Sequence, residues 1–375
     1  MILSGIQQQP QHAKGKNIMQ KFNKTLLEEI LSLPTMSFHE TAVATFVRIY
    51  SAAIGLKVDE DRFGNILVKY KGGSGRPVTF TAHMDHPGFE IVSSSGKKGT
   101  AALWGRVDVK FFSGSSVAIH TERAKIKGKI GKLIKSKKYF GKPCFEISSD
   151  EEFSEGDFGH YDLPGFKQKK DILHARAADN LASVAAILEL MTRLVAKKSK
   201  SNVCGLFTRA EEAGFIGAFG AIEAGTVSAK DPIIVMECSS APGGKVDIGG
   251  GPVIRSGDAQ SSYDPAVEAW LIDCAASAKS RSKGFKSQRA LLKGGRCEAC
   301  VYVAEGFPVG GLALALGNYH NHGPKGYAAE YISACDYENM ILLMEEVAAS
   351  PMPKNIFKKK LAPLWKNYRD LKKKL

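Results

Sequence analysis

The apolar and polar residues of this chain follow a helical period in some segments and a strand-like pattern in others. Helical spacing predicts helices over residues 22–32, 39–53, 180–195, 264–278 and 334–348. Short apolar runs predict strands over residues 56–60, 65–70, 77–81, 203–208, 233–236 and 310–316. Strands that alternate with helices in this order predict an α/β domain with a central mixed sheet and helices on both faces.

Residues 88–170 differ from the rest of the chain. Short β-like runs alternate there with turns rich in Gly, Ser and Lys, and no helical spacing is found. This segment predicts a small all-β domain inserted into the α/β domain, which would then consist of residues 1–87 and 171–350.

The length and composition are those of a globular protein. A chain of 375 residues with 44% hydrophobic content can bury a sizeable core, and its length favours two domains. The chain starts without the apolar run of a signal peptide, and no apolar stretch is long enough to cross a bilayer. Seven cysteines, an odd number, favour reduced thiols over a disulfide framework. We therefore expect a cytoplasmic protein.

The net charge of +14 is concentrated in two segments. Residues 125–142 contain eight lysines and no acid, and residues 354–375 contain nine basic residues and one acid, so each segment carries +8. The remainder of the chain is close to neutral, and the total charge does not by itself indicate a nucleic-acid-binding protein. We expect the lysines of the first segment to be solvated at turns and strand edges, with a role facing a ligand as the alternative.

Residues 351–375 form a basic amphipathic tail. Its large apolar residues recur at a spacing of three and four, and Pro363 interrupts the pattern. We expect the tail to pack on its own domain or on a neighbouring subunit. Binding to an anionic membrane surface or to nucleic acid is the alternative that its charge suggests.

Acidic and imidazole side chains stand at the ends of four predicted strands. They are His83 with Asp85, Glu211 with Glu212, Glu237, and His320, while Asp179 begins the helix predicted over 180–195. Taken alone, Asp179 would serve as a helix cap, and a His near an Asp is most often an ordinary hydrogen-bonded pair. Together, such groups at buried strand ends would repel or desolvate one another unless a cation lay among them. The set predicts a metal site, with His322 as an alternative to His320.

Charge counting favours two ions. Two zinc ions carry +4, the carboxylates of Asp179, Glu212 and Glu237 carry −3, and a bridging hydroxide would balance the remainder. Oxygen and nitrogen ligands without thiolate fit zinc, cobalt or manganese in a two-metal hydrolytic site. Adjacent residues of an extended segment point in opposite directions, so one of Glu211 and Glu212 would bind metal and the other would handle the proton of water.

Short motifs carry a resemblance to a known family, and they run in the family's order over most of residues 20–350. They are Asp61-Arg62-Phe63-Gly64-Asn65, Ala82-His83-Met84-Asp85 with Gly88-Phe89, Ala178-Asp179-Asn180, Glu211-Glu212-Ala213-Gly214 with Gly217-Ala218, Gly250-Gly251-Pro252, and Tyr319-His320-Asn321. With this set the chain resembles the tetrahedral aminopeptidases, the glutamyl-aminopeptidase type of di-zinc metallopeptidases among the co-catalytic zinc exopeptidases.

The resemblance implies a role for each site residue. His83 would bind one metal ion and His320 the other, with Asp179 bridging the two. The two coordination spheres would be completed by Glu212 and Glu237. The catalytic pair would be Asp85, which orients His83, and Glu211, the general base that activates the bridging water.

The resemblance also implies an aminopeptidase that acts on short peptides and forms a homo-oligomer, in that family a dodecameric tetrahedron, which the inserted β-domain helps to assemble. The chain departs from the family where Asn180 replaces Asp, where Glu237 replaces Asp, and where Gly295-Arg296-Cys297-Glu298-Ala299 replaces a Gly-Thr-Asp-Ala element. Two other functions fit the residues: a related zinc carboxypeptidase or amide deacylase, and a non-catalytic scaffold that keeps the fold. Against the first, the insertion lies between His83 and Asp179, whereas in those relatives a dimerisation domain usually lies later in the chain.

Overall fold

The computed structural model describes residues 22–241 and 246–375. The expected absence of a signal peptide concerns residues outside these ranges. Within them, no helix has both the length and the apolar character that crossing a bilayer needs.

The helices of the described residues are α1 (Lys24–Leu31), α2 (Thr41–Ala53), α3 (Ala178–Ala196), α4 (Ile216–Glu223), α5 (Pro265–Arg281), α6 (Ala299–Ala304), α7 (Ala334–Ala349) and α8 (Ile356–Leu371). Five of them, α1, α2, α3, α5 and α7, lie close to the predicted ones, and α4, α6 and α8 add to them. Local capping explains several starts. The side chain of Asn23 accepts a hydrogen bond from the N–H of Leu26 at α1, and Asp264 caps α5 just before Pro265, which occupies the first helical position.

The strands of the described residues form one large sheet, one barrel and two small sheets. In chain order they are β1 (Lys57–Glu60), β2 (Ile66–Lys71), β3 (Val78–His83), β4 (Gly88–Ser95), β5 (Lys98–Trp104), β6 (Ser116–His120), β7 (Lys125–Tyr139), β8 (Lys142–Ser149), β9 (Phe158–Tyr161), β10 (Lys167–Lys169), β11 (Ile172–Ala175), β12 (Asn202–Thr208), β13 (Ile233–Ser240), β14 (Val253–Arg255), β15 (Gln288–Ala290), β16 (Val309–Leu316), β17 (His322–Gly323), β18 (Gly326–Tyr327) and β19 (Glu330–Ser333).

The large sheet has helices on both faces. Its eight strands run in the order β1-β2-β12-β3-β13-β16-β14-β15, with parallel and antiparallel neighbours. Residues of β13 alternate between two cores: Ile234 and Met236 pack with α1, α2, α3, α5 and α7, whereas Ile233 and Val235 pack with α4 and α6. Since successive strand residues face opposite sides, the two cores lie on opposite faces, and the predicted mixed α/β architecture is confirmed.

The inserted segment forms a closed barrel of β4 to β9, in the order β4-β5-β8-β7-β6-β9. Phe89, Ile119 and Phe145 are among the apolar side chains that fill it. The lysines of β7 are exposed as expected, but they lie along a strand of 15 residues and not in turns. The barrel ends with Tyr161. The next strand, β10, pairs instead with β11 in a three-stranded sheet that also contains β19.

The tail differs from its prediction in two respects. First, α8 runs through Pro363 without a break. Pro363 lacks only the donor to a carbonyl that is open to water on this exposed helix, which limits the cost of keeping it. Second, the apolar face of α8 is not packed on the domain: Ile356 is the one buried residue of the helix.

Candidate metal centre

Four parallel strands end at one edge of the large sheet and bring the candidate residues together. β12 and β13 both run parallel to β3, and β16 runs parallel to β13. The end of β3 carries His83, Glu211 and Glu212 follow β12, Glu237 lies in β13, and His320 follows β16. Side chains that end parallel neighbours must meet at the carboxyl edge of the sheet, which is where open α/β sheets hold their ligands.

The six side chains form two adjoining groups that meet the geometric requirement for a metal site. One group is His83, Glu211 and Glu237, the other is Asp179, Glu212 and His320, and within each group the ligand atoms all lie within 4.8 Å of one another. Asp179 also adjoins the first group, since its Oδ1 lies 3.5 Å from Nε2 of His83. The structure thus brings together all five predicted ligands and Glu211, with Asp179 between the groups.

Both imidazoles present Nε2 to the cluster because Nδ1 is occupied behind it. Nδ1 of His320 lies 2.6 Å from the carbonyl oxygen of Arg106, and Nδ1 of His83 lies 3.1 Å from that of Asp85. A carbonyl can only accept, so Nδ1 of each ring carries a proton, and Nε2 is the atom that would bind a metal ion once it has lost its own proton. His320 and its neighbours Asn318 and Asn321 adopt left-handed backbone conformations, with φ of 53°, 54° and 62°. Such backbone strain is common at functional sites.

The alternative ligand His322 lies outside the cluster. Its Nε2 accepts a hydrogen bond of 2.8 Å from the backbone N–H of Asp108. Burial lowers the pKa of His322, which suits a neutral acceptor. The geometry therefore favours His320 over His322.

Asp85 is fully buried and holds the acidic loop in place. Its Oδ1 accepts a hydrogen bond from the backbone N–H of Glu211 at 3.0 Å, and its Oδ2 accepts one from that of Glu212 at 3.1 Å. The hydroxyl of Ser37 donates to Oδ2 at 2.7 Å, and Nδ1 of His83 lies 3.3 Å from Oδ1. Asp85 is not among the residues that line the pocket, and it contacts His83 and the loop from behind them.

Glu330 was missed by the sequence analysis. Its two oxygens accept the backbone N–H groups of Asp179 at 2.9 Å and of His320 at 2.8 Å. It therefore connects the backbone of Asp179 to that of His320. No sequence pattern marks Glu330, because this contact depends on the pairing of β11 with β19.

The sequence analysis assigns no role to His86. Its two ring nitrogens contact the carbonyl oxygen of Asp179 and, at 3.1 Å, the Oδ1 of Asn321. Burial, together with His320, lowers the pKa of His86 to about 3. It is a neutral link between the backbone of Asp179 and the loop of His320.

Four buried atoms that point into the cluster have no hydrogen-bond partner. They are Oδ1 of Asp179, Oε1 of Glu212, Oε1 of Glu237 and Nε2 of His320. Nε2 of His320 lies 2.9 Å from Oε1 of Glu212, yet the alignment is not that of a hydrogen bond. Buried polar atoms almost always have a hydrogen-bond partner, so four such atoms without one, close together, fit a binding site for a cation. The donor set of carboxylate oxygens and imidazole nitrogens fits divalent zinc, cobalt or manganese.

The titration behaviour of the cluster shows a deficit of positive charge. Burial raises the pKa of Glu211 well above its usual range and that of Glu237 to about 8. Although burial opposes it, Glu212 and Asp179 raise the pKa of His320 to about 9, and Glu211 raises that of His83. Protons thus stand in for the charge that a bound cation would supply.

The cluster lies in a cavity of about 610 Å³. Among the lining residues that the structure describes, every charged side chain outside the cluster is basic: Arg106, Lys142, Arg255, Lys293 and Arg296. Two of these, Arg106 and Lys142, come from the barrel. The alternative of a ligand-facing lysine in the inserted segment therefore fits Lys142.

Comparison with known families identifies a match over more than half of the chain. The family model described as M42 glutamyl aminopeptidase matches residues 146–343. This range contains Asp179, Glu211, Glu212, Glu237 and His320.

Solved structures of similar fold include three archaeal peptidases. An aminopeptidase from Desulfurococcus kamchatkensis is 21% identical, with a TM-score of 0.73, over 88% of this chain and 95% of its own. A TET aminopeptidase from a marine sediment thaumarchaeote is 19% identical, with a TM-score of 0.74, over 87% of this chain and 96% of its own. The TET1 peptidase of Pyrococcus horikoshii, which can assemble into a tetrahedron or a large octahedral shell, is 21% identical, with a TM-score of 0.71, over 87% of this chain and 99% of its own. At these identities the matches establish a shared fold.

Proposed function

The chain belongs to the M42 glutamyl aminopeptidase family, and from this premise we propose that it is a metal-dependent aminopeptidase that removes the N-terminal residue of short peptides with two divalent ions. One observation carries the proposal. Six titratable side chains converge in two groups, and four of their atoms are buried without a partner. A scaffold without catalysis would have no need of such a cluster, which costs folding free energy unless it binds a cation.

Five residues would hold the ions. His83 and Glu237 serve one ion, Glu212 and His320 serve the other, and Asp179 lies between them. Bound there, two zinc ions would polarise the scissile carbonyl and lower the pKa of the attacking water. Cobalt and manganese accept the same ligands.

Glu211 is the proposed general base. It lines the cavity as a member of the cluster, and burial raises its pKa well above the usual range of a glutamate, which favours uptake of a proton. It would accept a proton from the attacking water and deliver it to the leaving amine. Because Glu211 also lies within reach of the His83 group, a metal measurement on a Glu211 variant must accompany any activity measurement.

The cavity favours peptides whose first side chain is acidic. Five basic side chains line it beyond the cluster, so a carboxylate that enters finds complementary charge, whereas a lysine side chain does not. Replacing Lys293 and Arg296 together by Gln should lower the ratio of kcat/KM for Glu-first over Leu-first substrates by about two- to tenfold, as expected for two rim charges. Lys283→Gln, an exposed lysine outside the cavity wall, is the matched control.

The barrel is proposed to serve as both lid and assembly element. It contributes Arg106 and Lys142 to the cavity, and the carbonyl of Arg106 orients His320. We propose that the chain forms a homo-oligomer, by analogy with the Pyrococcus horikoshii peptidase, which can assemble into a tetrahedron or a large octahedral shell. Sedimentation velocity of the full chain measures the mass directly. Seven unpaired cysteines support a reducing, cytoplasmic setting.

The decisive experiment compares free and N-acetylated peptides with metal-stripped protein to which zinc, cobalt or manganese is returned. We expect release of the first residue from free peptides only, and only with metal. Glu211→Gln should lower kcat by about 10²- to 10⁴-fold while both ions remain bound. Glu223→Gln, an exposed glutamate on α4, should have no effect.

Three outcomes would contradict the proposal. Cleavage of acetylated peptides would favour the carboxypeptidase or deacylase. Two bound ions without release from any peptide would favour a scaffold. Loss of one ion in Glu211→Gln would make Glu211 a ligand and leave the base unassigned.

A further inference from the structure

Helix α8 presents a continuous apolar face to solvent. At 3.6 residues per turn, six of its seven large apolar residues fall within a sector of about 120° that contains no charged residue of the helix. They are Phe357, Leu361, Leu364, Trp365, Tyr368 and Leu371. Each is between 43% and 63% exposed, so the face is open along the whole helix.

The helix is attached to the body near its start, along one flank of this sector. Ile356 is buried at its start, and Nζ of Lys360 lies 2.5 Å from Oδ1 of Asp273 on α5. A cavity of about 1230 Å³ lies between the start of α8 and the neighbouring loops. The contact with the body is therefore narrow, and it leaves the apolar face unobstructed.

The polar side of α8 is strongly basic. Residues 354–375 carry nine basic side chains and the single acid Asp370. Within the helix Lys358, Lys359, Lys366 and Arg369 lie outside the apolar sector and border or oppose it. This combination of a basic polar face with Phe, Leu and Trp on the other face is that of helices that lie in the plane of a membrane interface.

We propose that α8 binds an anionic lipid surface and thereby holds the protein against a membrane. The apolar face would enter the boundary between head groups and acyl chains, with Trp365 and Tyr368 at head-group level and the lysines on the acidic lipids. Nucleic acid would engage the lysines but leave six large apolar side chains in water. A second copy would bring two basic helices together, and the rest of the chain, whose net charge is 14 − 8 = +6, offers no compensating negative charge.

The test measures co-sedimentation of the full chain with phosphatidylcholine vesicles, with and without phosphatidylglycerol. We expect binding only with the anionic lipid, and weakening as salt rises from about 0.1 M to about 1 M, where the screening length falls from about 10 Å to about 3 Å. The triple variant Leu361→Gln, Leu364→Gln, Trp365→Gln should lower the partition coefficient by roughly tenfold or more. Lys359→Gln and Lys366→Gln should each lower it by about fivefold.

Controls on other surfaces separate this helix from general stickiness. Phe140→Gln removes a more exposed aromatic residue, 80% exposed on the barrel, and should leave binding unchanged. Tryptophan emission gives a second readout, because Trp104 and Trp270 are buried and Trp365 is 55% exposed. Vesicles should shift the emission to the blue, and Trp365→Phe should abolish the shift while retaining most of the binding.

Several results would overturn the proposal. Failure to sediment with anionic vesicles at low salt would do so. A second contrary result would be that the wild type and the triple variant bind RNA equally and also bind vesicles equally. This would indicate a nucleic-acid site. A fall in native mass on deleting residues 354–375, without any vesicle binding, would indicate that a second copy covers the face. The proposal stands apart from the peptidase function, because α8 does not line the catalytic cavity.

Discussion

The acidic cluster at the sheet edge and the apolar face of α8 break the same rule in opposite directions. Charged groups normally stay in water and large apolar groups leave it. At the cluster, four carboxylates and two imidazoles are buried at the end of the sheet. On α8, six large apolar side chains remain exposed.

The two regions also differ in how the fold supports the exception. Behind the cluster, Asp85 and Glu330 accept four backbone N–H groups between them, which fixes the ligands before any ion arrives. Around α8 the support is one buried residue and one exposed ion pair. A rigid site suits a small ion of fixed geometry, and a loosely held helix suits a surface to which it can adjust.

The largest expected effect separates the two histidines that follow β16. His320→Gln removes a proposed ligand, so activity should fall by more than the roughly 100-fold that loss of an outer partner of a metal ligand can cause. The metal content should fall from two ions to one. The neighbouring His322→Gln loses only a contact to the backbone of Asp108 and should retain both ions. Metal analysis after gel filtration measures the bound ions in both variants. Equal loss of metal from the two would show that His320 and His322 do not differ as ligands.

A smaller effect is expected at Glu330. Glu330→Gln keeps one acceptor but turns an N–H₂ group toward a backbone N–H, so either Asp179 or His320 is released. We expect metal affinity to fall by about 10- to 100-fold, as for other outer partners of metal ligands. Competition with a chromophoric chelator measures this affinity.

The control for Glu330 is Glu189→Gln, which alters another buried glutamate that accepts a backbone N–H, that of Asn23, and lies ten residues after Asp179 in α3. It should lower thermal stability without changing metal affinity. Should both variants weaken metal binding equally, Glu330 would have only a general structural role.

The positions of the ligands could be predicted from the sequence, but their support could not. His83, the Glu211-Glu212 pair and His320 follow apolar runs, and parallel strands share one edge, so local pattern sufficed. Glu330 contacts a residue 151 positions away through an antiparallel pairing that no local pattern encodes. The sequence limited the proposed general base to one of two adjacent glutamates, Glu211 and Glu212. In the structure Glu211 lies within reach of His83 and Glu237, so a metal measurement is needed to tell whether it acts as a base or as a metal ligand.

For the tail, the local pattern could be read from the sequence but its surroundings could not. Its amphipathic spacing was evident in the sequence, but where the apolar face would lie was not. Packing on its own domain or on a neighbouring subunit was expected, and the structure of the single chain leaves the apolar face uncovered by its own domain. Pro363 interrupts the pattern, yet α8 continues through it. The helix retains this residue although a proline inside a helix costs about 3 kcal/mol relative to alanine.

Proton release distinguishes the two regions by their chemistry. In the metal-free protein the pKa of Glu237 is raised to about 8 and that of His320 to about 9, so both groups hold protons at pH 7. Metal binding must displace these protons, and affinity should rise by about tenfold per pH unit for each one displaced. The release should shrink as the pH passes 8 and then 9.

Lysines are already charged and stay so on an anionic surface, so vesicle binding should release no protons. Calorimetric titration in two buffers of different ionisation enthalpy measures both events. Proton release that does not change with pH, or release on vesicle binding, would show that the two regions do not differ in this way.

The smallest expected effect tests whether α8 gains order on the surface that it binds. Pro363 lies outside the apolar sector, so replacing it changes helix stability without changing the contact with lipid. A proline inside a helix costs about 3 kcal/mol relative to alanine, and a glycine about 1 kcal/mol. We expect Pro363→Ala to raise vesicle affinity a few-fold and the adjacent Ala362→Gly to lower it a few-fold, with circular dichroism reporting the helical content. If α8 were equally helical in water and on lipid, neither variant would change the affinity for vesicles. The helix would then have its bound conformation before it meets the membrane, as the acidic cluster has its geometry before an ion binds.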